Sequence, residues 1–327
     1  GTWARRWSLY DLPRIARSGL VSPFSCPTLF KKILMNITNY QREFNELQEN
    51  PALFDPRDFR VRKEALDFAD IITKFRPENN MALIDLQMHA QELGHELRAL
   101  NASIGQDFLE RFRDEKPSPQ KFREWLQPYT DYAQKAWGNP HYGYESLDFL
   151  LSEVLLPEPH PWPDRETEYG MVRYEPTPAS VILELTERIT LSDDDIFYDL
   201  GSGLGKVTTL VHLLSGARCV GVEYQSDFCA YAKEQAHSLN LKGINYLNAD
   251  ARHANYQDAT VFFLFNPFGG AIFNTVLEHL RLEAQQRTLR ICSYGSSSQP
   301  LSELPWLERI PPMNKDEATL AIFQSSA

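Results

Sequence analysis

The chain has 327 residues, 43% of them hydrophobic, and a formal net charge of −11. That length suits two domains, or one large domain with an appended helical layer, and so acidic an average makes nucleic acid a second-choice partner, because phosphate contacts call for a basic surface. No run of 18 apolar residues predicts a membrane-spanning helix, and Cys26, Cys219, Cys229 and Cys292 lack CxxC spacing, which fits a reducing, cytoplasmic setting rather than a disulfide framework or zinc ribbon.

Residues 1–34 are basic, with Arg5, Arg6, Arg14, Arg17, Lys31 and Lys32 against Asp11 alone. Their apolar runs are too short for an ordinary signal peptide. A transit sequence, a basic arm and an upstream extension all remain open. From Met35 to about Leu156 the pattern predicts a helical domain. Phe68, Ile71, Ile72 and Phe75 follow the i, i+3, i+4, i+7 spacing of one helix face, and Leu83, Ile84, Leu86, Leu93 and Leu97 mark a second helix over 81–100. Ser118-Pro119 introduces a third over 121–132, since Pro is tolerated in a first turn. The segment holds neither a repeat nor a cluster of metal-ligand residues, so a metal site is not expected.

Pro157, Pro159, Pro161, Pro163, Pro176 and Pro178 make 157–178 a linker without regular elements. A helix over 179–189 follows. Beyond it the pattern alternates, with strands over 196–200, 218–223, 244–248, 260–265, 289–293 and 319–324, and helices over 206–214, 227–239 and 271–285. The fold class expected for 179–327 is therefore α/β, a Rossmann-like, doubly wound and mainly parallel sheet behind an N-terminal helical domain. Ligands of such sheets sit at the carboxyl ends of the strands.

The first of those ends reads Asp199-Leu200-Gly201-Ser202-Gly203-Leu204-Gly205. Glycines there permit a tight turn and a close backbone approach to a ligand, and the next helix offers free N–H groups to a carboxylate. Glu223, ending the second strand, is placed to accept both hydroxyls of a ribose. A P-loop would need Gly at 200 and Ser or Thr at 207, where Leu200 and Val207 stand. A dinucleotide fingerprint would need Gly or Ala where Lys206 stands. The D-x-G-x-G-x-G form that remains suits a cofactor carrying both an amino group and a carboxylate, as S-adenosylmethionine does. A plain glycine turn is the bland alternative.

After the third strand, Asp250 can accept from an adenine amine while Ala251 lets the ring lie close; a turn-forming Asp is the competing reading. The fourth-strand loop is Phe265-Asn266-Pro267-Phe268-Gly269-Gly270. Pro267 fixes φ, the Asn266 amide offers a carbonyl to a substrate N–H or the cofactor amine, and Phe265 and Phe268 can wall a pocket for a sulfonium. A proline-stopped strand with buried aromatics is the competing reading. His212, His237 and His253 are read as surface or packing residues, and Glu175 serves equally as a pocket residue or a solvated turn.

Three stretches together resemble the Dot1-like histone-lysine methyltransferases, class I S-adenosylmethionine enzymes: Tyr174-Glu175-Pro176-Thr177, residues 189–205 with Asp193-Asp194-Asp195, and Val220-Gly221-Val222-Glu223 followed by Tyr231-Ala232. Phe263-Leu264-Phe265-Asn266-Pro267-Phe268 is similar to that family's Asn-Asn-Phe motif, with Pro267 in place of the second Asn. The resemblance covers about residues 169–270 and leaves the helical half outside. It implies a cofactor set of Thr177, Asp199, Gly201, Ser202, Gly203, Gly205, Glu223, Tyr224, Asp250, Ala251 and Asn266. Tyr174, Asn266, Pro267 and Phe268 fall at the catalytic end; the resemblance makes 157–178 also the active-site entry loop, with Tyr174 and Thr177 over the methionine end, and sets Asn266 along the lysine channel. The reaction implied is methyl transfer to a nitrogen, foremost a protein lysine. A small-molecule acceptor and a non-catalytic cofactor-binding module stay as alternatives, and oligomeric state is not legible.

Overall fold

Two apolar strands, IFYDL and VFFLF, lie side by side at the centre of the sheet and bury nearly every residue. Such runs suit a parallel sheet covered on both faces. The computed structural model describes residues 27–76, 80–130, 145–311 and 319–326. The first 26 residues of the basic segment lie outside them.

In chain order the helices are α1 (Pro27–Gln48), α2 (Phe59–Thr73), α3 (Met81–Glu115), α4 (Pro119–Leu126), α5 (Glu145–Leu155) and α6 (Ala179–Arg188). Then follow β1 (Ile196–Leu200), α7 (Lys206–Ser215), β2 (Arg218–Glu223), α8 (Ser226–Ser238), β3 (Ile244–Asn248) and β4 (Val261–Phe265). The chain closes with α9 (Gly270–Ala284), β5 (Arg290–Tyr294), α10 (Ser298–Ser302), β6 (Leu307–Ile310) and β7 (Ala321–Ser325). The sheet order is β3-β2-β1-β4-β5-β7-β6. β1 to β5 are mutually parallel; β7 runs antiparallel to both β5 and β6. The α/β, doubly wound expectation therefore holds, with strand ends shifted by at most two residues. β6 and α10 were not foreseen. β6 reads LERI, an edge strand with two charges and little apolar signal.

Alternation along β1 and β4 divides the core into two layers. Phe197, Val261 and Phe263 join one cluster, whereas Ile196, Tyr198, Leu200, Phe262 and Leu264 join the other. Phe273, Val276, Leu277 and Leu280 of α9 cover the second face. The first face is covered by α6 and α7, and also by Phe108, Phe112, Phe122, Trp125, Leu147 and Leu151.

The last group explains a departure from the expected division of the chain. The described residues form two compact units, one up to Leu53 with Glu64–Glu96, the other Phe54–Lys63 with everything from Leu97 onward. The division thus falls within α3 rather than at 157. The C-terminal half of α3 turns Phe108 and Phe112 edge-on to Phe122 of α4, at 6.2 and 6.0 Å between centroids. Asp148 of α5 accepts from the backbone N–H of Ala179 at 2.8 Å and from Lys206 Nζ at 2.6 Å. These helices share one core with the sheet. In the other unit Phe44 stacks on Phe68 at 6.3 Å, and Gln87 Nε2 donates to the carbonyls of Ile72 and Phe75, satisfying the end of α2.

Candidate active site

The cleft opens at the carboxyl ends of β1 to β4 and encloses about 910 Å³, within the range of small-molecule sites. Its floor is the glycine loop. The N–H groups of Gly201 and Ser202 donate to the Val222 carbonyl at 2.9 and 3.1 Å, and Gly203 N–H donates to Glu223 Oε2 at 2.8 Å. Gly203 sits at φ +53°, and a Cβ there would stand 2.3 Å from the Tyr174 ring. Only glycine permits both the turn and the contact.

Glu223 is buried, and its second oxygen accepts from the Gln225 N–H at 2.8 Å. Burial pushes its carboxyl above the usual range, against the backbone hydrogen bonds that lower it. Asp199 is wholly buried and accepts from Thr208 Oγ1 at 3.2 Å. Burial, with the nearby Glu223 charge adding to it, pushes the Asp199 carboxyl up to about 7. A positive charge brought near would favour the ionised form of both groups.

Gly201, Gly203, Glu223, Tyr224, Asp250 and Ala251 all line the cleft, as do Tyr174, Asn266, Pro267 and Phe268. Thr177, Asp199, Ser202 and Gly205 are outside its walls. Thr177, Asp199 and Ser202 are buried, and the Gly205 N–H donates to the Ser202 carbonyl at 2.9 Å. In this structure those four shape the loop rather than face the space.

Asn266 departs from its expected use. It adopts φ +44°, and its side-chain carbonyl accepts from Ser297 N–H and Ser297 Oγ, both at 3.0 Å, and from Ser296 Oγ at 3.1 Å. The carbonyl expected to serve a substrate N–H or the cofactor amine is thus occupied by the turn after β5, where the Ser297 N–H needs an acceptor. Pro267 packs on Gly201, with its Cβ 2.5 Å from where a Gly201 Cβ would be. Phe265 lies 5.0 Å from the Tyr294 ring.

A roof from the expected entry loop crosses the cleft; the contacts that fasten it were not legible in the sequence. Asp164 accepts from the Asp227 N–H at 3.1 Å and from Ser226 Oγ, capping α8. Arg165 donates to the Tyr224 carbonyl at 2.8 Å and Asn248 Oδ1 at 2.9 Å, and exchanges backbone-to-side-chain hydrogen bonds with Gln225. Further on, Val172 N–H donates to the Pro267 carbonyl at 3.3 Å, Gly269 N–H donates to the Gly170 carbonyl at 2.7 Å, and Met171 bridges Phe268. Tyr174 closes the roof, its ring 5.8 Å from Phe228 and edge-on to it. Packing around the ring pushes the phenol well above its ordinary titration, although 36% of the residue's surface remains open. At neutral pH its hydroxyl is a donor. Arg252, paired with Asp250 and Glu168, was also missed; an Arg two residues after a turn Asp is its only trace in the sequence.

A seven-stranded sheet with its last strand inserted antiparallel, a glycine loop after β1 and a carboxylate ending β2 define a class I S-adenosylmethionine-dependent methyltransferase core. Residues 168–292 match the family described as "Histone methylation protein DOT1". Among curated proteins the chain is similar to the histone-lysine N-methyltransferase, H3 lysine-79 specific, of Caenorhabditis elegans, 23% identical over 163 residues. That match takes in 43% of this chain and 17% of the relative's length. Similar solved structures include an RNA methyltransferase from Salinibacter ruber with S-adenosyl-L-homocysteine, at 22% identity and a TM-score of 0.36 over 46% of this chain and 92% of that one. Magnesium protoporphyrin IX methyltransferase from Synechocystis, with bound S-adenosylmethionine, gives 13% identity and a TM-score of 0.35 over 45% of this chain and 76% of that one.

Proposed function

We propose that this chain transfers a methyl group from S-adenosylmethionine to a protein lysine. One observation carries the reading: within the matched segment, bare backbone at Gly201 and Gly203, the Glu223 carboxylate and the Phe265–Pro267–Phe268 wall meet in a single cleft. The residues fit the cofactor. Glu223 offers carboxylate oxygens to ribose hydroxyls and Asp250 an acceptor to an adenine amine, while Gly201 and Gly203 add no side chain of their own beneath Pro267 and Tyr174.

When bound, S-adenosylmethionine supplies an electrophilic methyl on a sulfonium. The chain's own contribution is alignment and a dry wall. Phe265, Pro267 and Phe268 bring apolar surface to the methyl-bearing end, and a lysine amine desolvated against them has its pKa lowered toward the neutral, nucleophilic form. Tyr174 closes on the glycine loop and keeps water from that end. Good orientation in such sites is worth several kcal/mol, about 7–11 in favourable cases. Acidity of the chain as a whole favours a basic acceptor protein.

The test is incubation with methyl-labelled S-adenosylmethionine and fractionated cell extract. Label on lysine of a protein fraction, located by mass spectrometry, is the expected result. Label confined to small molecules would replace the lysine reading.

A further inference from the structure

Asp250 faces the cleft, but its carboxylate is fastened from outside it. Arg252 Nε donates to both Asp250 oxygens at 3.0 Å, its Nη2 donates to Oδ2 at 2.6 Å, and its backbone N–H donates to Oδ1 at 2.8 Å. The same Nη2 reaches both oxygens of Glu168, at 2.9 and 3.0 Å. Neither Arg252 nor Glu168 lines the cleft, whereas Asp250 and Ala251 do. Tyr256 Oη donates to the Ala251 carbonyl at 2.6 Å, holding the intervening backbone. Glu168 begins the turn that leads to the Met171–Phe268 bridge, its carbonyl accepting from Met171 N–H at 3.0 Å.

A carboxylate has about four acceptor positions, and three Arg252 donors, the shared Nε–H, an Nη2–H and the backbone N–H, take the outward ones. About one position of Asp250 is left for the cleft, held in one orientation. A 6-aminopurine presents a donor to it; a 6-oxopurine presents an oxygen, which a fixed carboxylate repels. Without the fork the side chain regains its rotamers and can turn aside from the wrong base. We infer that Arg252 is a positioning residue that sets the preference of this site for a 6-aminopurine and, through Glu168, ties base recognition to the roof. The inference rests on the reading of the cleft as an S-adenosylmethionine site.

The experiment compares calorimetric Kd values of S-adenosylhomocysteine and S-inosylhomocysteine for the full chain and its R252Q, R252K and E168Q variants. The unaltered protein prefers the adenosyl compound by about 10- to 100-fold, the worth of one charge-assisted hydrogen bond. R252Q collapses that ratio toward unity, and R252K, keeping the charge without the planar fork, falls between. E168Q weakens both ligands by a common factor and preserves the ratio. If R252Q and R252K weaken both ligands equally and leave the ratio intact, Arg252 is only a structural strut and the inference fails. Equal binding of the two ligands by the unaltered protein also overturns it, with the cofactor cleft still standing. If the unaltered protein binds neither ligand, the proposed function itself is wrong and takes this inference with it.

Discussion

Glu223→Gln is the sharpest perturbation of the cofactor loop. In the folded chain both carboxylate oxygens accept backbone N–H groups at 2.8 Å, from Gly203 on one side and Gln225 on the other. A glutamine amide offers an acceptor to only one of them and turns an NH2 toward the other. A buried donor left without a partner costs about 1–3 kcal/mol, and the loop at Gly203 loosens accordingly. The bound cofactor loses more directly, because hydrogen bonds from ribose hydroxyls to a carboxylate, worth about 1.5–3 kcal/mol, become bonds to a neutral amide. Together these predict a rise of roughly 10- to 100-fold in the Kd for S-adenosylhomocysteine, read by calorimetry. Thermal unfolding in parallel reports the ligand-free loss. A Kd within about twofold of the unaltered protein, with a fold intact by circular dichroism, would refute the assignment of Glu223 to the ribose.

Gly203→Ala places a methyl 2.3 Å from the Tyr174 ring at φ +53°, so strain of about 1–2 kcal/mol is added and the ring is displaced; cofactor affinity should drop at least tenfold by the same titration, a loss of about 1.4 kcal/mol or more. Asp199, with its carboxyl raised to about 7, is neutral in the ligand-free chain below that pH and ionised above it. Asp199 lies behind the loop rather than in the cleft wall, but its charge still favours the ammonium-bearing cofactor, so affinity should climb as pH rises through about 7 and Asp199→Asn should flatten the profile; a flat profile in the unaltered protein would leave Asp199 a loop-shaping residue alone. Because that raised value favours the protonated folded state, stability should also decline from about pH 4 to pH 7 in the unaltered chain but not in Asp199→Asn, measured by urea unfolding. Asp148→Ala leaves Lys206, 4% exposed, without its carboxylate. That should destabilise the fold by about 3 kcal/mol, near the low end for a buried pair because Asp148 is itself 29% exposed.

The sheet and its glycine loop were legible because their signals are local. Apolar runs such as VFFLF mark doubly buried strands, and three glycines between a strand and a helix announce a backbone that must come close to something. Glu223 could be found by its place at the end of the next strand. What stayed hidden depends on contacts distant in sequence. Arg165 meets Asn248, and Glu168 meets Arg252, across more than eighty positions, and no spacing encodes such a pair. The turn of the Asn266 amide toward Ser297 was likewise decided by an N–H some thirty residues away. The same cause hid the division inside α3, since Phe108 looks like any other apolar residue of a helix until its partner Phe122 is known.

The shared core behind β1 and β4 has a practical consequence. A catalytic fragment cut at the proline-rich stretch, where the family match begins, would bare the surfaces of Val181, Leu210 and Phe263 that Phe108, Trp125, Leu147 and Leu151 now help to cover. Exposed apolar faces of that kind drive aggregation. A piece that keeps this core covered must reach back into the long helix, well upstream of every residue that touches the cleft.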